Sequence, residues 1–277
     1  MNKKTESSLG QNILRLRKAL HMTQETLASQ LNVSTQAVSK WETNQAIPDT
    51  LLLPGIAEAL NTSVDALMGF VPNFTGISPY EHRYQIDGYY WGVKPNGIAM
   101  EVLKHAFPTR PMKLLDIGCG EGRDAVFFAR NGFEVTAFDV AEAGLEKGRK
   151  LAEACGVHVN FIQADLKHFR TDETFDVIYS SGVIHHILPE FRDELFQHYR
   201  EHTAPGGFNA FNVFVRKPYI PIPPDSDGDD DTWYSGELLG IYSDWHIHKF
   251  EEEEFMCPSG DIPHMHCMDV LIARKPE

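Results

Sequence analysis

The stretch LLDIGCGEGRDAVFFARNGFEVTAFD, Leu114 to Asp139, carries Gly118, Gly120 and Gly122 at two-residue spacing. They lie between an apolar run and a run of helical character. Glycines in such a turn let the backbone approach a ligand closely, because no Cβ intervenes. One acid, Asp116, sits inside the first apolar run, and a second, Asp139, ends the next. A carboxylate at the end of that second strand suits a pair of ribose hydroxyls. The chemistry indicated is the binding of a nucleoside-containing cofactor. A glycine turn alone leaves NAD open; GxGxG preceded by an acid, in place of GxGxxG, favours another cofactor. His185 and His186 follow a fourth apolar run, FDVIYSSGVIHHI, where one imidazole can take a proton or orient an anion. A thiolate acceptor needs little such help, being already a strong nucleophile.

Strands and helices must alternate to place these groups. Lys113 to Ile117 reads as a short buried strand. AVFFARNGF reads as a helix with Ala125, Phe128 and Ala129 toward a sheet, and EVTAFD as the next strand. FIQADL gives a third strand ending on Asp165. Nearer the end of the chain, His246 and His248 are two apart, as are His264 and His266. On strands each pair shares a face. If those strands are antiparallel neighbours, four imidazoles converge near Cys257 or Cys267 and form a possible metal site; exposed strand histidines are the plainer reading, and His264 and His266 stand with His185 and His186 as candidate catalytic groups at the substrate mouth. KPYIPIPPDSDGDDDTWYSG is rich in proline and acid. Asp225, Asp227 and Asp229 fit the first positions of a calcium loop, but Gly228 comes too early and Gly236 stands where a glutamate is needed. It reads as a solvated insertion, a candidate lid over the substrate.

The first hundred residues have a different character. Leu9, Ile13, Leu16 and Leu20 mark one helix face. Thr23 caps a second helix with Leu27 and Leu31 inward, and Ser34 caps a third with Val38 and Trp41 inward. Asp49 caps a fourth that reaches Leu60, and Ser63 a short fifth. Pro54-Gly55 disfavours helix at Leu53, so the fourth helix starts late or bends. Residues 70–85, with two prolines and no periodicity, read as linker and lead-in.

The net charge of −14 is unevenly spread. Residues 1–70 carry six basic and six acidic side chains, so the remainder carries the whole charge. An acidic body repels nucleic acid, which leaves the first 70 residues to meet DNA. No run of about 18 apolar residues is present for a membrane span. The opening residues lack the apolar run of a secretory signal. Cys119, Cys155, Cys257 and Cys267 form no CxxC pair and suit free thiols in a reducing cytoplasm.

MTQETLASQLNVSTQAVSKWETNQAIPD resembles the helix-turn-helix of the lambda-repressor-like (XRE) family, over roughly residues 8–68. The resemblance implies a third helix in the major groove of a double-stranded DNA operator, bound by a homodimer. The outward residues are then Ser34, Thr35, Gln36, Ser39 and Lys40. Gln36 can pair with adenine and Lys40 with guanine or phosphate. Gln24 opens the second helix, where it can meet a phosphate. A helical module kept for protein contacts, or for dimerisation alone, is the alternative.

The glycine turn, FIQADL and FDVIYSSGVIHHI together resemble the class I S-adenosylmethionine-dependent methyltransferases. That implies an α/β, Rossmann-like fold with a seven-stranded, mostly parallel sheet. The cofactor is then S-adenosyl-L-methionine. Asp139 holds its ribose, Asp165 accepts from the adenine amino group beside the Leu166 backbone, and Gly118 and Gly120 line the methionine part. Asp116 and Ser181 complete the set. SSGVIHHI stands where nucleic-acid amino-methylating enzymes carry an NPPY-like sequence, and Cys257-Pro258 reverses the Pro-Cys order of cytosine-C5 enzymes. Nucleic acid is disfavoured as the methylated substrate. GYYWGVKPNGIAMEVL, CGEGRDAVFFARNGFEVTAFD and HMHCMDVLIARKP resemble the tellurite-resistance (TehB-like) and thiopurine methyltransferases. By that resemblance Tyr90 and Trp91 lie over the cofactor, Arg123 meets its carboxylate, the acceptor is a small toxic molecule, and no metal is needed. For Tyr90 and Trp91 core packing stays open. The expected organisation is a helix-turn-helix domain over 1–70, a lead-in over 71–87 and a methyltransferase domain over 88–277. A regulator whose second domain senses the cofactor or a ligand without turnover fits the same residues.

Overall fold

The computed structural model describes residues 9–20, 22–60, 62, 64–68, 78–221, 233–257 and 263–277. The acidic stretch with Asp225, Asp227 and Asp229, the cap assigned to Ser63 and residues 71–77 of the lead-in lie outside them. The chain divides into two compact units, one within Met1–Asn73 and one formed by Phe74–Cys257 with His264–Glu277.

The first unit is helical: α1 (Leu9–Ala19), α2 (Gln24–Gln30), α3 (Thr35–Glu42), α4 (Leu53–Ala59) and α5 (Val64–Met68). Thr23 Oγ1 accepts from Thr26 N and Ser34 Oγ from Ala37 N, so both caps close an otherwise orphaned donor. Asn32, at φ 53°, turns the chain between α2 and α3. Asp49 caps a 3-10 turn, Thr50–Leu52, instead of the fourth helix itself. That helix begins at Leu53 with Pro54 in its first turn, where a missing N–H costs nothing. Ile13, Leu27, Val38, Ile56 and Leu60 form the core. α1 crosses α3 so closely that a Cβ on Gly10 would lie 1.9 Å from Trp41 O.

The second unit is a seven-stranded sheet in the order β3-β2-β1-β4-β5-β7-β6. Its strands are β1 (Met112–Ile117), β2 (Phe133–Asp139), β3 (Val159–Gln163), β4 (Phe175–Ser180), β5 (Thr203–Val215), β6 (His246–Cys257) and β7 (His264–Arg274). β1 to β5 pair in parallel, and β7 runs antiparallel to both β5 and β6. The central strands are apolar on both faces, as a covered parallel sheet requires. Leu114, Val177, Ala210 and Ile272 pack on one side, and Leu115, Ile178, Phe211 and Leu271 on the other. The helices are α6 (Pro79–Arg83), α7 (Gly97–His105), α8 (Arg123–Arg130), α9 (Glu142–Ala154), α10 (Pro189–Glu201) and α11 (Glu237–Ile241). α6 corrects the reading of 79–83 as unstructured lead-in: Ser78 Oγ accepts from Tyr80 N and starts a helical turn. β3 ends at Gln163, two residues before Asp165. The strand order reverses at β1 and β4, and that crevice at the carboxyl ends is where open α/β sheets take ligands.

Candidate functional sites

In the helical unit α3 presents Ser34, Gln36 and Lys40 exposed, with Thr35 and Ser39 half-buried. Behind this row lies a polar cluster that the sequence reading missed. Arg17 donates through Nε to Glu42 Oε1 at 2.5 Å and through Nη2 to Oε2 at 2.9 Å, and both residues are buried. Gln24 Nε2 donates to Glu42 Oε2 at 2.7 Å. The Gln24 amide thus turns one N–H toward Glu42 and keeps a second donor. That bond gives Gln24 a bracing role under α3. Burial alone would raise the Glu42 carboxyl; hydrogen bonds from Arg17 and Gln24 outweigh it and hold it below the ordinary glutamate range. Arg17 left one signal, a charge at a position that falls inside the α1 apolar face.

In the sheet unit the glycine turn joins β1 to α8. Gly118, Gly120 and Gly122 all have positive φ. A Cβ on Gly118 would come 2.4 Å from Val183 Cγ1, and one on Gly120 2.7 Å from the Tyr84 hydroxyl. A side chain at either position would displace its neighbour and strain a backbone held at positive φ. Asp139 closes the turn: its Oδ2 accepts from Gly120 N at 2.8 Å and its Oδ1 from Ala141 N at 2.9 Å. Each oxygen keeps a further lone pair for a hydroxyl donor. Burial pushes the Asp139 carboxyl up, and the backbone amides of Ala141, Gly120 and Val140 oppose it only in part.

Asp116 is 2% exposed and its Oδ2 has no hydrogen-bond partner among the described residues. Burial, then Asp124 and Asp139, push its carboxyl well above the ordinary aspartate range, while the Arg123 charge pulls it down. A buried, unpaired carboxyl oxygen is costly and calls for a donor. Arg123 heads α8, and its Nη1 donates to Trp91 O at 3.0 Å.

The segment before α7 is clamped over the turn. Glu121, buried, accepts from Tyr90 N at 3.0 Å, from Trp91 N at 3.1 Å and from Lys147 Nζ at 2.9 Å. Lys147 also donates to the carbonyls of Ile86 and Gly88. Tyr90 and Trp91 meet edge to face at 4.7 Å, and Trp91 is 40% exposed, so it is not a core side chain. Trp91 Nε1 donates to the buried Tyr84 hydroxyl at 3.3 Å. Glu121, Lys147 and Tyr84 were missing from the sequence reading; the Glu121 and Lys147 contacts join residues 26 to 61 positions apart, which spacing does not reveal.

Asp165, exposed, and Leu166, half-buried, follow β3, and Asp165 Oδ1 accepts from Lys167 N at 2.8 Å. Past β4, Ser181 Oγ accepts from Asn212 Nδ2 at 3.3 Å, and Asn212 Oδ1 accepts from Gly182 N at 2.6 Å. Asn212, also missed, ties that loop to β5. His185 packs 4.5 Å from Phe214, with its Nδ1 buried and unpartnered among the described residues. Burial, then His186 and His266, hold its pKa well below the ordinary histidine value. His266 stacks on the same Phe214 at 4.5 Å, and His264 lies beside it.

The four strand histidines do not converge. Cys257 pairs with His264 at one end of the β6–β7 ladder and His246 with Arg274 at the other. A bulge between Ile247 and Lys249 also breaks the shared face of His246 and His248, and His248 packs on His105 and Phe208. A surface hollow lined by Lys113, Glu134, Thr136 and Phe175 opens at the amino ends of the strands, away from the glycine turn.

Residues 114–207 match the family model of a methyltransferase domain, and residues 13–67 that of a helix-turn-helix. The chain therefore carries a helix-turn-helix domain and a methyltransferase domain of Rossmann-like fold. It is 27% identical over 166 residues to a protein of Haemophilus influenzae described as a probable S-adenosyl-L-methionine-dependent methyltransferase, TehB, covering 59% of this chain and 57% of that one. It is 27% identical over 125 residues to a ubiquinone biosynthesis O-methyltransferase of Rickettsia canadensis, covering 44% and 52%. The chain thus spans about half the length of these curated relatives. The crystal structure of TehB from Haemophilus influenzae superposes with a TM-score of 0.58 at 23% identity, over 65% of this chain and 62% of that one.

Proposed function

We propose that the chain is a DNA-binding regulator joined to an S-adenosyl-L-methionine-dependent methyltransferase acting on a small molecule. The observation that carries the cofactor reading is the buried Asp116 oxygen lacking a donor, beside a glycine turn closed by Asp139. These residues fit the group. Asp116 would take its ammonium, Arg123 its carboxylate and Asp139 its ribose hydroxyls. Asp165 and the Leu166 backbone would meet its adenine. Gly118 and Gly120 would line its methionine part, Tyr90 and Trp91 would cover it, and Ser181 would border it. When bound, the cofactor supplies an electrophilic methyl group on a sulfonium. The chain's own contribution is to align an acceptor and exclude water, and such positioning is worth several kcal/mol of barrier. His185 and His186 border the acceptor side. Held neutral by burial, His185 adds no charge that would repel a cationic sulfonium. The similarity to TehB supports this reading, and a panel of thiols, selenite and tellurite tests it. Methylated product from any of them supports the enzyme, and binding of cofactor with no turnover on the whole panel supports a sensor.

Cofactor affinity is expected to rise with pH. The raised Asp116 carboxyl falls back when an ammonium arrives, so binding releases a proton. Affinity therefore weakens as pH drops through the raised value of the free site. Calorimetry in buffers of different ionisation enthalpy, over roughly pH 5 to 8, reads the released proton. Asp116→Asn should remove the release, and a release that survives it would assign the proton elsewhere.

For the regulator, the supporting observation is the exposed Gln36 and Lys40 on a braced α3. Gln36→Ala is expected to cost about 1–3 kcal/mol on the specific operator and little on random DNA. Equal losses on both, at one fixed salt concentration, would mean that Gln36 does not read bases. A homodimer would place half-sites about one helical turn apart.

A further inference from the structure

Cys257 ends β6 and His264 begins β7, and the two are directly paired across the antiparallel ladder. Paired residues point to one side, and His266, two along, shares it. Cys267 alternates to the opposite face. The result is a cluster of Cys257, His264 and His266, each half-buried, whose ligand-type atoms lie within 4.8 Å of one another. The Nε2 atoms of His264 and His266 are 2.8 Å apart, and their rings are held at 74°. Phe214 stacks flat on His266, with 16° between the ring planes, and so fixes one ligand's orientation.

We propose that Cys257, His264 and His266 bind a zinc ion, with a fourth position open to an anionic sulfur ligand. The donor set is one thiolate and two imidazoles, which suits a borderline-soft ion and resists calcium or magnesium. At ordinary zinc distances two tetrahedral imidazole nitrogens stand about 3.3 Å apart, and a sulfur about 3.6 Å from each. The imidazoles then open by about half an ångström and the cysteine turns inward by about one. Loading requires the thiol proton to leave to solvent. The Nε2 proton now lying between the imidazoles must also move: the neutral ring that gives it up takes a proton on Nδ1 in its place, so only the thiol proton is released. Among the described residues three protein ligands are at hand, which leaves one tetrahedral position open, as in catalytic zinc sites. The site lies at the carboxyl edge of the sheet, and Phe214 touches both His266 and His185. A thiolate on the fourth position would therefore sit beside the acceptor side of the crevice. That placement rests on the methyltransferase reading; the metal site does not.

The test is titration of the full chain with Co2+, followed by displacement with Zn2+. One equivalent should give tetrahedral d–d bands with a thiolate-to-metal charge-transfer band. Cys257→Ser should abolish the charge-transfer band and weaken Zn2+ binding by roughly tenfold or more, with His266→Gln weakening it similarly. His246→Gln should change nothing. Circular dichroism of each variant separates lost ligation from lost folding, and the wild-type spectrum stands by itself. Absence of the band, or its survival in Cys257→Ser, overturns the site. 2-Mercaptoethanol added to the cobalt-loaded chain should intensify the charge transfer, and an unchanged spectrum overturns the open position. Cobalt binding without S-adenosylmethionine binding would remove the methyltransferase reading and leave the metal site standing.

Discussion

Glu42→Ala is expected to open the helix-turn-helix unit. The substitution leaves the Arg17 guanidinium buried without its carboxylate and frees the Gln24 amide. Breaking a buried pair from one side costs about 3–5 kcal/mol. A helical unit of about 60 residues has little more than that to lose. Amide exchange in the intact chain checks this: protection around Ile13, Val38 and Trp41 should fall by at least about a hundredfold, while the sheet unit keeps its own. Operator binding should fall with it, because α3 loses its brace. Unchanged protection would mean that solvent reaches Arg17 and that the pair contributes little. The same pair sets a pH dependence. Glu42 is held below the ordinary carboxylate range when folded. Its stabilisation is therefore complete above the unfolded value of about 4.3, and disappears as pH falls through the lowered one.

Asp139→Ala is expected to weaken S-adenosylmethionine binding by about 3 kcal/mol, roughly 150-fold in Kd. Two effects combine. The ribose hydroxyls lose a charged acceptor, and Gly120 N and Ala141 N lose the oxygens that shape the turn. Asp139→Asn separates them, since it keeps one acceptor oxygen and no charge; it should retain more affinity than alanine. Calorimetry of the folded variants reads both. Equal affinity for wild type and Asp139→Ala would remove Asp139 from the site and the ribose assignment with it.

The amino-acid sequence by itself determined the local units. Caps at Thr23 and Ser34, the apolar faces of α1 to α3, the glycine turn and the acids Asp116 and Asp139 all act within a few residues of themselves. Period, capping and backbone freedom are short-range properties, so spacing along the chain reveals them. The alternation that puts His264 and His266 on one face is of this kind too.

The tertiary structure decided what meets what. Glu121 holds Tyr90 and Trp91 from 31 and 30 residues away, and Arg17 finds Glu42 across 25. The histidine pairs show the difference most plainly. His246, His248, His264 and His266 have similar spacing, yet antiparallel pairing sets Cys257 against His264 and sends His246 to the far end. At about 3.3 Å per residue those ends are roughly 35 Å apart. Strand order and register fix that separation, and they follow from how two apolar faces of one sheet are covered, which no spacing between residues encodes.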